Sequence, residues 1–185
     1  MANSVLISPL TFRILRQLVT TQSSYTHQLA KILSISPPHI NRLCNKLKKE
    51  GVLNSSIQDN RKIFELNYRS SLARELLRLL TVINVKQSRY FRKLASIAPF
   101  GIYGSFAEGK QQKESDLDVW VFASRSEEKS IRNILNDIEK EWGHAVNVIY
   151  LDEKKIQDLR SKDSEFYLRL RIQSITEWGG IFERT

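Results

Sequence analysis

The sequence predicts an α+β chain in two parts joined by a long helix. Three observations predict it. Apolar residues recur at helical spacing through the first fifty residues, and two short strand-like runs follow. Residues 70–97 contain neither Gly nor Pro. The charge is split along the chain: residues 1–98 hold 16 Lys+Arg against 4 Asp+Glu, and residues 99–185 hold 13 against 16. The boundaries that follow are 1–69 for the first domain, 70–98 for the linker helix and 99–185 for the second domain.

The chain has 185 residues, enough for one medium domain or two small ones. Hydrophobic residues make up 41% and charged residues 26%, so disorder is not the default. A single cysteine, Cys44, excludes an internal disulfide framework and suits a reducing compartment. No N-terminal stretch joins a basic start to an apolar run and a small-residue cleavage site. No apolar run reaches the roughly 20 residues of a spanning helix. A cytoplasmic protein without a membrane partner is expected. The net charge of +9 is the sum of +12 over residues 1–98 and −3 over residues 99–185, which makes the first half a candidate for phosphate-bearing partners.

Leu10, Ile14, Leu15 and Leu18 mark the first helix. Ser23 and Ser24 are candidate N-caps for a second, whose inner face carries Leu29, Ala30 and Leu33. In "SISPPHINRLCNKLKKEG", Ser36 is the expected N-cap and Pro37 the first helical residue. Ile40, Leu43, Cys44 and Leu47 form its inner face, and Gly51 stops it. Its outward side holds His39, Asn41, Arg42, Asn45, Lys46, Lys48 and Lys49. Two short strands are expected over Val52–Ile57 and Lys62–Asn67, with Gln58–Arg61 as a polar turn around Asp59-Asn60. Cys44 on the inner face reads as core rather than nucleophile. His27 and His39 have no partner at metal-ligand spacing.

Three helices followed by a basic-tipped hairpin resemble the winged helix-turn-helix of MarR- and ArsR-like regulators, over roughly residues 5–68. The resemblance implies a double-stranded DNA partner, with helix 37–50 in the major groove. Asn41, Arg42 and Asn45 are then the side chains that reach base edges, since Arg suits guanine and Asn adenine. Lys46, Lys49, Arg61 and Lys62 are the expected phosphate contacts, and His39 completes the set. The competing reading is a protein-docking or spacer module.

Along residues 70–97, Leu72, Leu76, Leu79, Ile83, Tyr90 and Leu94 approximate a seam that Lys86 and Gln87 interrupt. Pro99 ends the run. Either the helix packs on its own domain, or it pairs with its copy in a homodimer.

The second domain opens on "GIYGSFAEGKQQKESDLDVWVF", residues 101–122. Gly104 to Lys110 reads G-x-x-x-x-G-K, most of a P-loop. A P-loop needs Ser or Thr next, because that hydroxyl ligates Mg²⁺; here it is Gln111. The P-loop reading therefore fails. Read otherwise, Phe100–Tyr103 is a strand that breaks at Gly104-Ser105, where a helix start offers free amides for a phosphate. Asp116–Phe122 forms a second strand. Residues two apart share a face, so Asp116 and Asp118 project together, and Leu117, Val119 and Val121 go to the other side. Adjacent carboxylates repel unless a cation lies between them, and Mg²⁺ (or Mn²⁺) is the oxygen-seeking choice.

The string Gly104-Ser105-x-Ala107-x-Gly109 followed by Ser115-Asp116-Leu117-Asp118 resembles the minimal branch of the DNA polymerase beta-like nucleotidyltransferases, over about residues 86–182. The resemblance implies a small mixed sheet flanked by helices. It implies transfer of a nucleoside monophosphate from an NTP to a hydroxyl. Gly104 and Ser105 would hold the triphosphate, and Asp116 and Asp118 would be the catalytic carboxylates that bind two Mg²⁺. The family's third carboxylate falls at Asn147, in the expected strand Ala145–Asp152. An amide carries no charge and cannot serve as a base, so the second ion is weakened most. Glu108 stands where many relatives are basic. Three outcomes stay open: a transferase with another base, a nucleotide-binding domain without turnover, or a scaffold. Helix 127–142 is expected to pack Ile131, Ile134, Leu135, Ile138 and Trp142 inward, and a closing helix is expected over 164–178. The acceptor, a protein side chain, an RNA or a small molecule, is not encoded in these motifs.

Overall fold

A computed structural model describes residues 5–178 and Ile181. The chain divides into two compact units, Met1–Leu80 with Gly109–Lys113, and Thr81–Glu108 with Glu114–Thr185. Each has its own apolar core. No helix among the described residues is long and apolar enough to cross a membrane.

The first unit is a winged helix. Helix α1 (Pro9–Thr21) starts at Ser8, whose hydroxyl accepts from the Thr11 amide. A short strand, β1 (Ser23–Tyr25), precedes α2 (Thr26–Leu33). Ser23 and Ser24, expected as caps, lie in this strand instead, and Tyr25 holds the cap position without a side-chain bond. The reason is tertiary: β1 pairs with the later hairpin, Ser24 opposite Phe64. Helix α3 (Pro37–Lys49) buries Ile40, Leu43, Cys44 and Leu47 as its periodicity predicts. Gly51 then turns the chain at φ +76°, a left-handed conformation that favours glycine.

Strands β2 (Leu53–Gln58) and β3 (Arg61–Leu66) form the wing, and the sheet order is β1-β3-β2, all antiparallel. Asp59 and Asn60 both take positive φ, the requirement of a two-residue primed hairpin turn. Helix α4 (Ser71–Gln87) buries Ala73, Leu76, Leu77 and Leu80 in the same core as α1–α3. Residues 109–113 complete this unit. Gly109 takes φ +66° and lies so close to the Arg74 backbone that a Cβ there would overlap the Arg74 carbonyl. The Gln111 amide donates to Leu77 O at 3.3 Å, and the Tyr68 hydroxyl donates to Gln111 O at 2.8 Å. The Gly-Lys pair that mimics a P-loop thus owes its glycine to close packing.

The expected continuous helix over 70–98 is broken. α4 ends at Gln87, Ser88 caps α5 (Arg89–Ala95), and its hydroxyl accepts from the Tyr90 and Phe91 amides. Ser88 also donates to Glu141, so its side chain has a partner that a helix interior would not offer. Of the predicted seam, Leu72 and Leu76 pack in the first unit's core and Tyr90 and Leu94 in the second's, while Leu79 is exposed.

In the second unit, β4 (Phe100–Tyr103) runs into the one-turn helix α6 (Gly104–Ala107). Strand β5 (Leu117–Phe122) pairs antiparallel with β4. Helix α7 (Glu128–Trp142) crosses to β6 (Val146–Leu151), which lies parallel to β5. Helices α8 (Glu153–Lys162) and α9 (Ser164–Gln173) follow, then β7 (Ile175–Trp178) beside β4. The sheet order is β6-β5-β4-β7, a small mixed sheet. The closing helix expected over 164–178 stops at Gln173, because its last four residues pair with β4 as a strand. Leu117, Val119 and Val121 pack against Ile131, Ile134, Leu135 and Ile138 of α7 on one face. Trp120 and Leu151 pack with Ile156, Tyr167 and Leu170 of α8 and α9 on the other.

Candidate functional site

The period of two along β5 decides which groups meet. Leu117, Val119 and Val121 are buried toward α7, so Asp118 shares the opposite face with Trp120. Trp120 is fully buried and its indole N–H donates to Ser174 at 3.1 Å. Asp118 lies two residues nearer the strand start, where it is half-buried at the rim of this packed face. Asp116 stands one residue before β5 and is exposed.

Three strands converge here. Asp118 is opposite Tyr103 on β4 and beside Asn147 on β6. The Asn147 Nδ2 donates to Asp116 Oδ2 at 3.0 Å and lies 3.4 Å from Asp118 Oδ1. The two aspartates and the asparagine singled out by the sequence are thus one cluster. Gly104 joins it. Its φ is +67°, and a Cβ built there would fall on Asp118 Oδ2. The missing side chain is therefore the space that the carboxylate occupies. Ser105 follows in the first turn of α6, half-buried, while Phe106 and Ala107 anchor that turn in the core. Glu108 caps α6, and its amide donates to Gly104 O at 3.0 Å. Asp152, five residues beyond Asn147, caps α8 by accepting from the Lys155 amide at 2.7 Å.

The electrostatics follow from this packing. The Asp118 carboxyl is held above its ordinary pKa by burial first; the Asn147 hydrogen bond opposes this and the Asp116 charge adds to it. Tyr103, expected only as the last residue of a strand, also borders the site. Its phenol is pushed up to about 12, by burial and then by the Asp118 charge, and its ring meets Phe166 edge-on at 6.0 Å. Tyr103 is the strand residue just before the Gly-Ser bend, and the β4–β5 ladder sets it opposite Asp118.

No cluster of three or more His, Cys, Asp or Glu side chains able to hold a metal is found among the described residues. At this site the third position is an amide. The donor set still fits a hard cation: two carboxylates that converge, an amide whose oxygen can replace its nitrogen by a half-turn, and a glycine cradle beside them.

On the first unit, His39, Asn41, Arg42, Lys46, Lys48 and Lys49 are exposed on α3. Asn45 is half-buried; its amide donates to Asn41 Oδ1 at 3.1 Å, and its oxygen accepts from Lys62 on the wing. Asn45 and Lys62 therefore tie α3 to the wing. Arg61 at the wing tip lies over the Tyr25 ring, 5.6 Å from its centre. An open groove runs between the starts of α2 and α3 and the wing, lined by Tyr25, His27, Gln28, Asn41, Arg61 and Lys62 among others. Tyr25, His27 and Gln28 fall outside the expected DNA-contact set, which is confined to α3 and the wing. Cys44 is buried and its thiol is pushed up to about 12 by burial, against the lowering effect of Lys62.

Residues 85–166 match the family model "Polymerase beta, Nucleotidyltransferase", a span that contains Gly104, Ser105, Asp116, Asp118 and Asn147. No curated protein matches the sequence significantly. Among solved structures, the antimony-specific transcriptional repressor AntR is similar at 19% identity over 46% of this chain and 77% of its own, with a TM-score of 0.38. The transcriptional regulator BldR of Sulfolobus solfataricus is similar at 22% identity over 48% and 68%, with a TM-score of 0.34. A mutant of Lactococcus lactis ZitR is similar at 16% identity over 77% and 80%, with a TM-score of 0.40. The winged-helix architecture of the first unit stands on its own elements.

Proposed function

We propose that this chain, a winged helix joined to a polymerase beta-type nucleotidyltransferase domain, binds duplex DNA through the first unit and an NTP with a divalent ion through the second. The second unit then transfers a nucleoside monophosphate to an acceptor hydroxyl. One observation carries the reading of the site: Asp118 fills the space left by the absent Gly104 side chain, with Asp116 joined to it through Asn147. Asp118 lies against the bend whose amides would meet a phosphate in this reading, and that supports it.

In this reading Asp116 and Asp118 hold the ion, and Asn147 contributes its amide oxygen. Gly104 and Ser105 hold the polyphosphate. A divalent ion supplies charge neutralisation for the departing pyrophosphate. The acceptor oxygen bonds to the α-phosphorus as the bond to the β-phosphate oxygen breaks, and the hydroxyl proton passes to water. Asn147 cannot take that proton. Binding without transfer is accordingly the second reading, and Asn147 is the observation that favours it.

For the first unit the support is the exposed basic face of α3 and the basic wing tip. Asn41 and Arg42 are the base-reading candidates, and Lys46, Lys49 and Arg61 the phosphate contacts. His39 flanks them, and Asn45 and Lys62 brace the wing.

The test uses the full chain with each labelled NTP and Mg²⁺ or Mn²⁺. Retained label that is lost in Asp116→Asn plus Asp118→Asn supports the site, and equal retention by that double variant refutes it. Label moved onto a macromolecule in cell extract supports transfer. Persistent retention without transfer selects the second reading.

A further inference from the structure

Asn147 does more than mark a missing charge. Its Nδ2 stands 3.0 Å from Asp116 Oδ2 and 3.4 Å from Asp118 Oδ1. A primary amide nitrogen carries two hydrogens, enough for one on each carboxylate. Two carboxylates brought together repel, and the usual remedy is a cation between them. Here a neutral donor from the neighbouring strand takes that position. The parallel register sets the two side chains beside each other, since Asp118 and Asn147 are ladder partners.

We propose that Asn147 substitutes for a cation in the ion-free chain and limits the site to one divalent ion per chain. The proposal rests on the metal–nucleotide reading given above. Its physical basis is the dual character of the amide. With the nitrogen inward, Asn147 bridges Asp116 and Asp118 and keeps them aligned. With the oxygen inward, after a half-turn that its exposed side chain leaves open, it offers a neutral donor atom to a hard cation. It never offers a third negative charge. Two carboxylates and one carbonyl suit a single divalent ion, whereas a second ion adds two positive charges with no further carboxylate to meet them. The same switch makes ion binding compete with the two hydrogen bonds. Asn147 is in this sense a neutral ligand that sets ion number.

The experiment compares the full-length protein with its Asn147→Asp variant. Bound Mn²⁺ is counted by electron paramagnetic resonance, with and without a non-hydrolysable NTP analogue. Thermal melts are recorded in EDTA and in Mn²⁺. The native chain is expected to bind one Mn²⁺. Asn147→Asp is expected to bind two, the first on the order of tenfold more tightly. In EDTA the variant should melt below the native chain, because three carboxylates then face one another without a donor. In Mn²⁺ that order should reverse. A merely structural asparagine would move the EDTA melt but not the ion count. Two ions in the native chain overturn the proposal. So does one ion in the variant with unchanged affinity. Failure of both proteins to bind any Mn²⁺, even with the nucleotide analogue, is a different result. It removes the metal–nucleotide reading itself, and the proposal with it.

Discussion

Replacing Gly104 by alanine tests the cradle directly. Two costs arise. At φ +67° an L-residue sits in the left-handed region, which costs about 1 kcal/mol. Its Cβ would also fall on Asp118 Oδ2, so the carboxylate must rotate away. Loss of a residue that merely orients a metal ligand costs roughly 10–100-fold in ion affinity. Moving the ligand itself should cost at least as much. Gly143 supplies the control. It has φ +70°, and a Cβ there meets nothing within 4 Å. Gly143→Ala should therefore lose about 1 kcal/mol of stability and keep its ion affinity. Gly104→Ala should lose a similar amount and bind Mn²⁺ at least tenfold more weakly. The assays are urea unfolding and Mn²⁺ titration, run on both variants. If Gly104→Ala binds Mn²⁺ as the native chain does, the glycine is not the seat of the carboxylate, and the link from bend to site falls.

Further predictions concern the core, the DNA face and the alkaline limit. Gly101→Ala places a Cβ 2.5 Å from the fully buried Trp120 ring, and such overpacking costs about 1–3 kcal/mol, readable by tryptophan fluorescence during urea unfolding. Duplex binding should weaken linearly in log salt, and Arg61→Ala should reduce the magnitude of the slope by about 0.9, measured by fluorescence anisotropy. An unchanged slope would remove Arg61 from the phosphate contacts. Cys44 and Tyr68 both have pKa values of about 12 in the fold, raised by burial. Each group keeps its proton in the fold at a pH where the unfolded chain has lost it. Their contribution is full below the unfolded value and is lost as pH rises through the folded one. Stability should thus decline from about pH 9 upward, and less steeply in Tyr68→Phe. The Cys44 thiol should react slowly with a disulfide reagent at pH 8 until the chain is unfolded.

Much of this fold was legible because its signals are local and periodic. The inner face of α3, the stop at Gly51 and the alternation along β5 each follow from spacing and residue type alone. β1 was not legible. "SSY" has the composition of a cap, and only pairing with Phe64 and its neighbours makes it a strand. The break at Ser88 was hidden for a similar reason. A serine without Gly or Pro nearby does not end a helix by itself; Glu141, distant in sequence, gives its hydroxyl a partner. Likewise Ile175–Trp178 continues a helical pattern until β4 offers its edge.

For the candidate site, the sequence by itself determined the chemistry of the parts: a glycine bend, two carboxylates at strand spacing, and an amide where a third acid is expected. It could do so because residue type and a period of two are properties of the chain alone. Only the tertiary structure decided that these parts meet. Strand register set Asn147 beside Asp118, and the empty side of Gly104 received the carboxylate. Those contacts join segments 29 and 14 residues apart, and a local pattern carries no information about which distant partner will fill a space.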